Sequence, residues 1–145
     1  MNIGFNQIRS AISTKMSTLS GFTNSRYPPE FLGRNPGSLA HLVYAIGIGG
    51  TTSAGNRQQP SRGIQLSTAA LVKFAYRMRP TDAYPTSYDE ALSKEREVIL
   101  KLLSSYTGTL DGLQIQYVGS RRSFEQSFEY MIHDLNFLIL HTIKE

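Results

Sequence analysis

Ile64-Gln65-Leu66-Ser67-Thr68-Ala69-Ala70-Leu71-Val72-Lys73-Phe74-Ala75-Tyr76-Arg77-Met78 is the stretch on which the fold turns. Its even positions, from Ile64 to Met78, are apolar or β-compatible. The odd positions are mostly small or polar, with Leu71 the one large exception. Period-two alternation puts successive side chains on opposite faces, so the spacing predicts a half-buried β-strand. At about 3.3 Å per residue it spans about 50 Å, where a typical strand spans roughly 17–20 Å. That is more than a 145-residue globule needs for its own core. The length predicts a sheet that continues into a neighbour or an assembly.

Upstream, Leu42, Tyr44, Ile46 and Ile48 alternate and predict a first strand from about His41 to Ile48. Gly49 to Arg62 joins the two strands and reads as a long flexible loop, giving an antiparallel hairpin with a mobile tip. Phe5, Ile8, Ile12, Met16 and Leu19 recur at spacings of three and four, which predicts an amphipathic helix from about Ile3 to Leu19, stopped by Gly21. Residues 20–39, with Tyr27-Pro28-Pro29 and Asn35-Pro36-Gly37, form a second long flexible loop. Long segments of this kind are uncommon unless they serve a contact or remain mobile.

Downstream, a turn is expected through Thr81 to Thr86. Ser87-Tyr88-Asp89-Glu90 then has capping-box spacing, with Ser87 bonding the Glu90 amide and Glu90 reaching back. The helix that follows, to about Ser104, is expected to bury Tyr88, Leu92, Ile99, Leu102 and Leu103. Its acids come early and Lys101 late, as the helix dipole favours. Thr107-Gly108 and Asp111-Gly112 punctuate the exit. Leu113, Ile115 and Tyr117 alternate in a short strand, and Gly119 to Arg122 reads as a turn. In the last segment Phe124, Phe128, Tyr130 and Ile132 are apolar on even positions, then Leu135, Phe137, Ile139 and Ile143 on odd ones. A β-bulge at His133-Asp134 produces such a phase flip. A helix from 129 to 143 is the other reading, since Met131, Leu135, Leu138 and Thr142 also lie three to four apart.

The elements make one α+β domain over residues 1–145. It has one mainly antiparallel sheet of about four long strands and two helices packed on one face, in the order α-β-β-α-β-β. A hydrophobic content of 40% supports a core and excludes full disorder. No apolar run is long enough for a membrane span, and Met1 to Leu19 does not read as a secretory signal. With no cysteine there is no disulfide framework and no thiolate metal site.

The net charge of +4 is unevenly spread. Residues 1–80 carry nine basic groups and one acid, Glu30, whereas residues 81–145 carry six basic and ten acidic groups. Complementary surfaces or a nearby polyanion would account for the contrast, and so would a fold that interleaves the halves and averages it out. Lys73, Arg77 and Arg79 fall on one face of the long strand, with Arg57 and Arg62 in the loop leading into it. Such a stripe can face phosphates, although the interleaved aromatics of single-strand binders are missing. A solvated face or an interface rim is the plainer reading.

Catalytic residues are not in evidence. His41, His133 and His141 are the only imidazoles, and no third metal ligand accompanies His133 and His141. Gly47-Ile48-Gly49-Gly50-Thr51-Thr52 lacks the lysine of a phosphate loop and runs on into a strand rather than a helix. No cofactor or metal is expected.

In this order the elements resemble the tail terminator (tail completion) proteins of long-tailed bacteriophages. The pieces that carry the likeness are the helix from Phe5 to Leu19, the stretch Tyr27-Pro28-Pro29-Glu30-Phe31, and the hairpin running into Ser61-Arg62-Gly63-Ile64-Gln65-Leu66. They continue with Tyr76-Arg77-Met78-Arg79-Pro80, the acidic-start helix Tyr88-Asp89-Glu90-Ala91-Leu92, and two closing strands. The likeness covers nearly the whole chain and is one of architecture. It implies a non-enzymatic virion protein, assembled in the host cytoplasm, that forms a homohexameric ring on the head-proximal end of the tail tube. Such a ring stops tube polymerisation, meets the tail tube protein and the head–tail connector protein, and lets genomic DNA pass without sequence specificity. Arg57, Arg62, Lys73, Arg77 and Arg79 would then face the lumen. Two other readings stay open: another virion part, such as a tube subunit or connector, and a basic nucleic-acid-binding domain.

Overall fold

The computed structural model describes residues 2–34, 37–79, 85–106 and 113–145. In chain order these form α1 (Phe5–Ser17), β1 (Thr23–Asn24), a single 3-10 turn at Pro29–Phe31, β2 (Val43–Gln59) and β3 (Gly63–Arg77). They continue with α2 (Thr86–Leu103), β4 (Gln114–Phe124) and β5 (Tyr130–Ile143). The fold is α+β. Its sheet runs β1-β2-β3-β5-β4, antiparallel throughout except where the short β1 lies parallel to β2. It therefore holds one strand more than the four long ones the alternation marks. The turns expected at 81–84 and 107–112, and Asn35-Pro36, lie outside the described residues. No helix among the described residues is long and apolar enough to cross a membrane.

The core lies between the helices and one face of the sheet. β3 contributes Thr68, Ala70, Val72, Phe74 and Tyr76, all buried, so the even-numbered face points to the helices as the alternation requires. β5 contributes Met131, Leu135, Phe137 and Ile139, and α1 contributes Ile8, Ala11, Ile12 and Met16. α1 starts two residues later than the spacing suggests, because Ile3 is used elsewhere. Its amide donates to the Thr142 carbonyl at 2.8 Å, and the Gln7 side chain caps the Gly4 amide. α1 also ends earlier than the spacing suggests, at Ser17 with Thr18 as its C-cap, and Gly21 (φ +86°) lies in the turn that follows rather than stopping the helix.

Several local expectations are corrected. Residues 49–59 are strand rather than flexible loop, so the turn shrinks to Pro60-Ser61-Arg62, closed by Gly63 at φ +97°. Most of β2 beyond Gly50 is exposed, and its register with β3 slips between Ile48 and Thr51 and again between Ser53 and Gln58. α2 begins at Thr86, so Ser87 sits inside the first turn and no capping box forms. The buried face of α2 is Ser87, Ala91, Glu95, Val98 and Leu102, while Leu103 is exposed. Gly119 to Arg122 continues β4, and the turn comes at 125–129.

The phase flip at His133 has a different cause from the expected bulge. β5 pairs with β3 in unbroken register from Tyr130 to Ile143. Near its start both faces are covered: Met131 and His133 point to the helices, and Ile132 is buried on the back. The back is closed there by Leu32 against Val43, Ala45 and Ala75 and by Pro29 against Gly47. The bulge belongs to the neighbouring strand, between Tyr117 and Gly119 of β4. The expected flexible loop at 20–39 therefore contains the short strand β1 and packs against the sheet at Pro29 and Leu32.

Candidate assembly surfaces and buried polar clusters

The structure does not bring the five cationic candidates together. Lys73 lies on the back of β3 with its Nζ 4.0 Å from the Asp134 carboxylate, its register partner on β5. Arg77 pairs with Glu129 at 3.0 Å. Arg79 lies beyond the end of β3 and turns to α2, where its Nη2 donates to Glu90 at 2.5 Å. Arg79 therefore does not share a strand face with Lys73 and Arg77. The Tyr76 hydroxyl donates to the same Glu90 oxygen at 2.6 Å, and with Arg79 it holds this carboxyl below its ordinary pKa. Arg62 is exposed in the turn at the far end of the hairpin, about 50 Å along β3 from Arg77. Arg57 lies in the exposed part of β2, and its side chain is outside the described residues.

Two polar clusters sit in the core instead. In the first, Arg122 of β4 donates to Glu95 of α2 from Nε at 2.9 Å and Nη2 at 2.5 Å, and His133 Nδ1 lies 2.7 Å from the other side of the same carboxylate. Burial alone would raise the Glu95 pKa, but the hydrogen bonds from Arg122 and His133 outweigh it and the net shift is downward. His133 is pushed below its ordinary pKa, first by burial, against the opposing pull of Glu95. Its ring stacks on Phe74 at 4.4 Å, and its Nε2 is buried with no hydrogen-bond partner among the described residues. With His133 fully buried, the cluster pins α2, β4 and β5 together.

The second cluster is a relay. His141 Nδ1 lies 2.8 Å from the Ile3 carbonyl, which can only accept, so Nδ1 carries the proton. Nε2 then accepts from the Thr68 hydroxyl at 2.7 Å, and Thr68 in turn accepts from Thr51 at 2.9 Å. This fixes the segment before α1 to the end of the sheet. His133 and His141 share one face of β5, as an unbroken strand requires, yet each is occupied by a different network. No group of three His, Asp or Glu side chains among the described residues could hold a metal.

Glu95 and Arg122 were not singled out by sequence reasoning. A signal was present, because Glu95 continues the spacing of Ala91, Val98 and Leu102, and a carboxylate in that stripe must be paired to be buried. The N-terminal and C-terminal halves are not interleaved in the sheet. β1, β2 and β3 form one side and β5 and β4 the other, but the two portions meet along the β3–β5 seam, where Lys73 and Arg77 pair with Asp134 and Glu129, and at α2, where Arg79 pairs with Glu90. Compared with models of known protein families and with curated proteins, the chain matches none.

Proposed function

We propose that this chain is a structural subunit of a bacteriophage tail, a terminator that closes the head-proximal end of the tail tube as a ring of identical copies. The observation that carries the reading is the β2–β3 hairpin. Its base is built into the core, and beyond Thr51 the β2 strand runs on to Gln59 with most of its residues exposed. Ordered, exposed strand is unfavourable surface for an isolated domain and suits a chain that is completed by its neighbours. A head-to-tail ring needs two unlike surfaces on each copy, and the exposed part of β2 beyond Gly50 offers one of them.

In this reading the ring meets the tail tube protein on one side and the head–tail connector on the other. Arg57, Arg62, Lys73, Arg77 and Arg79 border the DNA path. The carboxylate partners of Lys73, Arg77 and Arg79 temper the positive field, which favours passage over gripping. Normal DNA ejection by particles carrying Arg77→Glu together with Arg79→Glu would remove these residues from the path. The test of the reading itself is electron microscopy of particles made without the chain. Overlong tubes beside full heads are expected. Detached tails of normal length would make the chain a connector, absent tails a tube subunit, and intact virions would end the virion reading.

A further inference from the structure

We propose that the open edge of β2 is a docking site for an extended, acidic segment of another protein, added as a strand alongside Ile46 and Ile48. β1 accompanies β2 for two residues only, Thr23 against Val43 and Asn24 against Tyr44. The Ser25 amide donates to the Tyr44 carbonyl at 2.7 Å, so the main-chain groups of Tyr44 face away from β3. By the two-residue period, those of Ile46 and Ile48 face the same way, and no further strand lies beside them among the described residues. The Ile46 and Ile48 side chains pack on the core, which holds this part of the edge in place.

Room for a strand is already present. A groove of about 320 Å³ opens where β1 stops, lined by Ser25, Tyr27, Pro29 and Arg9 as well as Ile46. Two prolines in its wall restrict the backbone, so little ordering is needed on binding. Main-chain bonds to such an edge supply affinity, and alternate side chains of the added strand supply selectivity.

Charge selects the occupant. Arg9 lines the groove and Arg26 follows Ser25 in sequence; both are exposed and have no carboxylate partner among the described residues, whereas Lys73, Arg77, Arg79 and Arg122 are all paired. An acidic strand complements that border. A second copy of the chain does not, since its own edge strands carry Arg57 on β2 and Arg121 on β4, with no acid on either. β4 is also bulged at Val118, a device that discourages edge pairing. The site does not depend on the terminator reading. Under that reading the strand comes from the tube or connector protein, and the copies of the ring meet elsewhere.

The test uses short fluorescent peptides alternating valine with glutamate, and the same peptides with lysine for glutamate, titrated by anisotropy onto the full chain. The glutamate peptide is expected to bind saturably and to slow amide exchange at Ile46 and Ile48. Arg9→Glu, on the exposed side of α1, is expected to weaken it about tenfold without moving the Tm. Failure of both peptides, equal binding of both, or protection at other amides would overturn the proposal. Protection of the same amides that rises with protein concentration alone would overturn it in favour of a second copy.

Discussion

Ala75 and Thr52 belong to one β-hairpin, yet Ala75 is fully enclosed while Thr52 is exposed. At the base of the hairpin β2 and β3 are covered by helices on one face and by Leu32 and Leu39 on the other. In the outer part the ladder continues, slips twice in register, and is flanked by solvent along β2. Backbone pairing alone thus carries the strand past the point where hydrophobic burial stops. The base is there for folding, and the outer part is free to serve contacts.

The largest expected effect lies at the base. Phe74→Ala removes a fully buried ring that packs against His133 and Phe22, and should cost about 3–5 kcal/mol by urea unfolding. Thr52→Ala, in the outer part, should stay within about 0.5 kcal/mol of the unaltered chain. Comparable losses from both would break the distinction. Next comes Glu95→Gln, which leaves a neutral amide between His133 and Arg122. It is expected to cost about 2 kcal/mol, less than for a wholly enclosed pair because Arg122 is partly exposed.

A smaller effect is expected from pH. The folded pKa of His133 is lowered, so the unfolded chain binds the proton more readily. Stability from this group is complete above the ordinary value of 6.5 and is lost as the pH falls below it towards the folded value. His41 has the same sign, and its Nδ1 accepts the Arg77 amide at 3.1 Å, a bond that protonation at Nδ1 removes. Glu95 adds a further loss at more acid pH, below 4.5. The Tm should therefore fall from pH 7 to pH 5, and His133→Asn should flatten that fall. An unchanged slope in the variant would take His133 out of the account.

Legibility in the sequence followed the same division. β3 and the first part of β2 could be read because one face is apolar and the other is not. Thr51-Thr52-Ser53-Ala54-Gly55-Asn56 carries no such pattern. It is strand because β3 lies beside it, and that cause is absent from its own residues. The phase flip at His133 misled for the opposite reason. Both faces are buried there, so apolar side chains on both parities mark a covered back rather than a bulge. The bulge itself, at Val118, is exposed and left no hydrophobic trace. In α2, Glu95 escaped notice because a helical glutamate ordinarily points to water, and its partners Arg122 and His133 are distant in sequence. The cationic stripe could be seen in the sequence, but the carboxylates that pair with it come from α2, β5 and the turn before β5.

The most direct measurement is the tube length in particles assembled with Thr52→Lys and Gln58→Lys, two changes confined to the exposed part of β2. The altered chain should keep its Tm. If the outer hairpin serves assembly at the end of the tail tube, electron microscopy will show overlong, unterminated tubes. Tubes of normal length joined to heads would contradict the account.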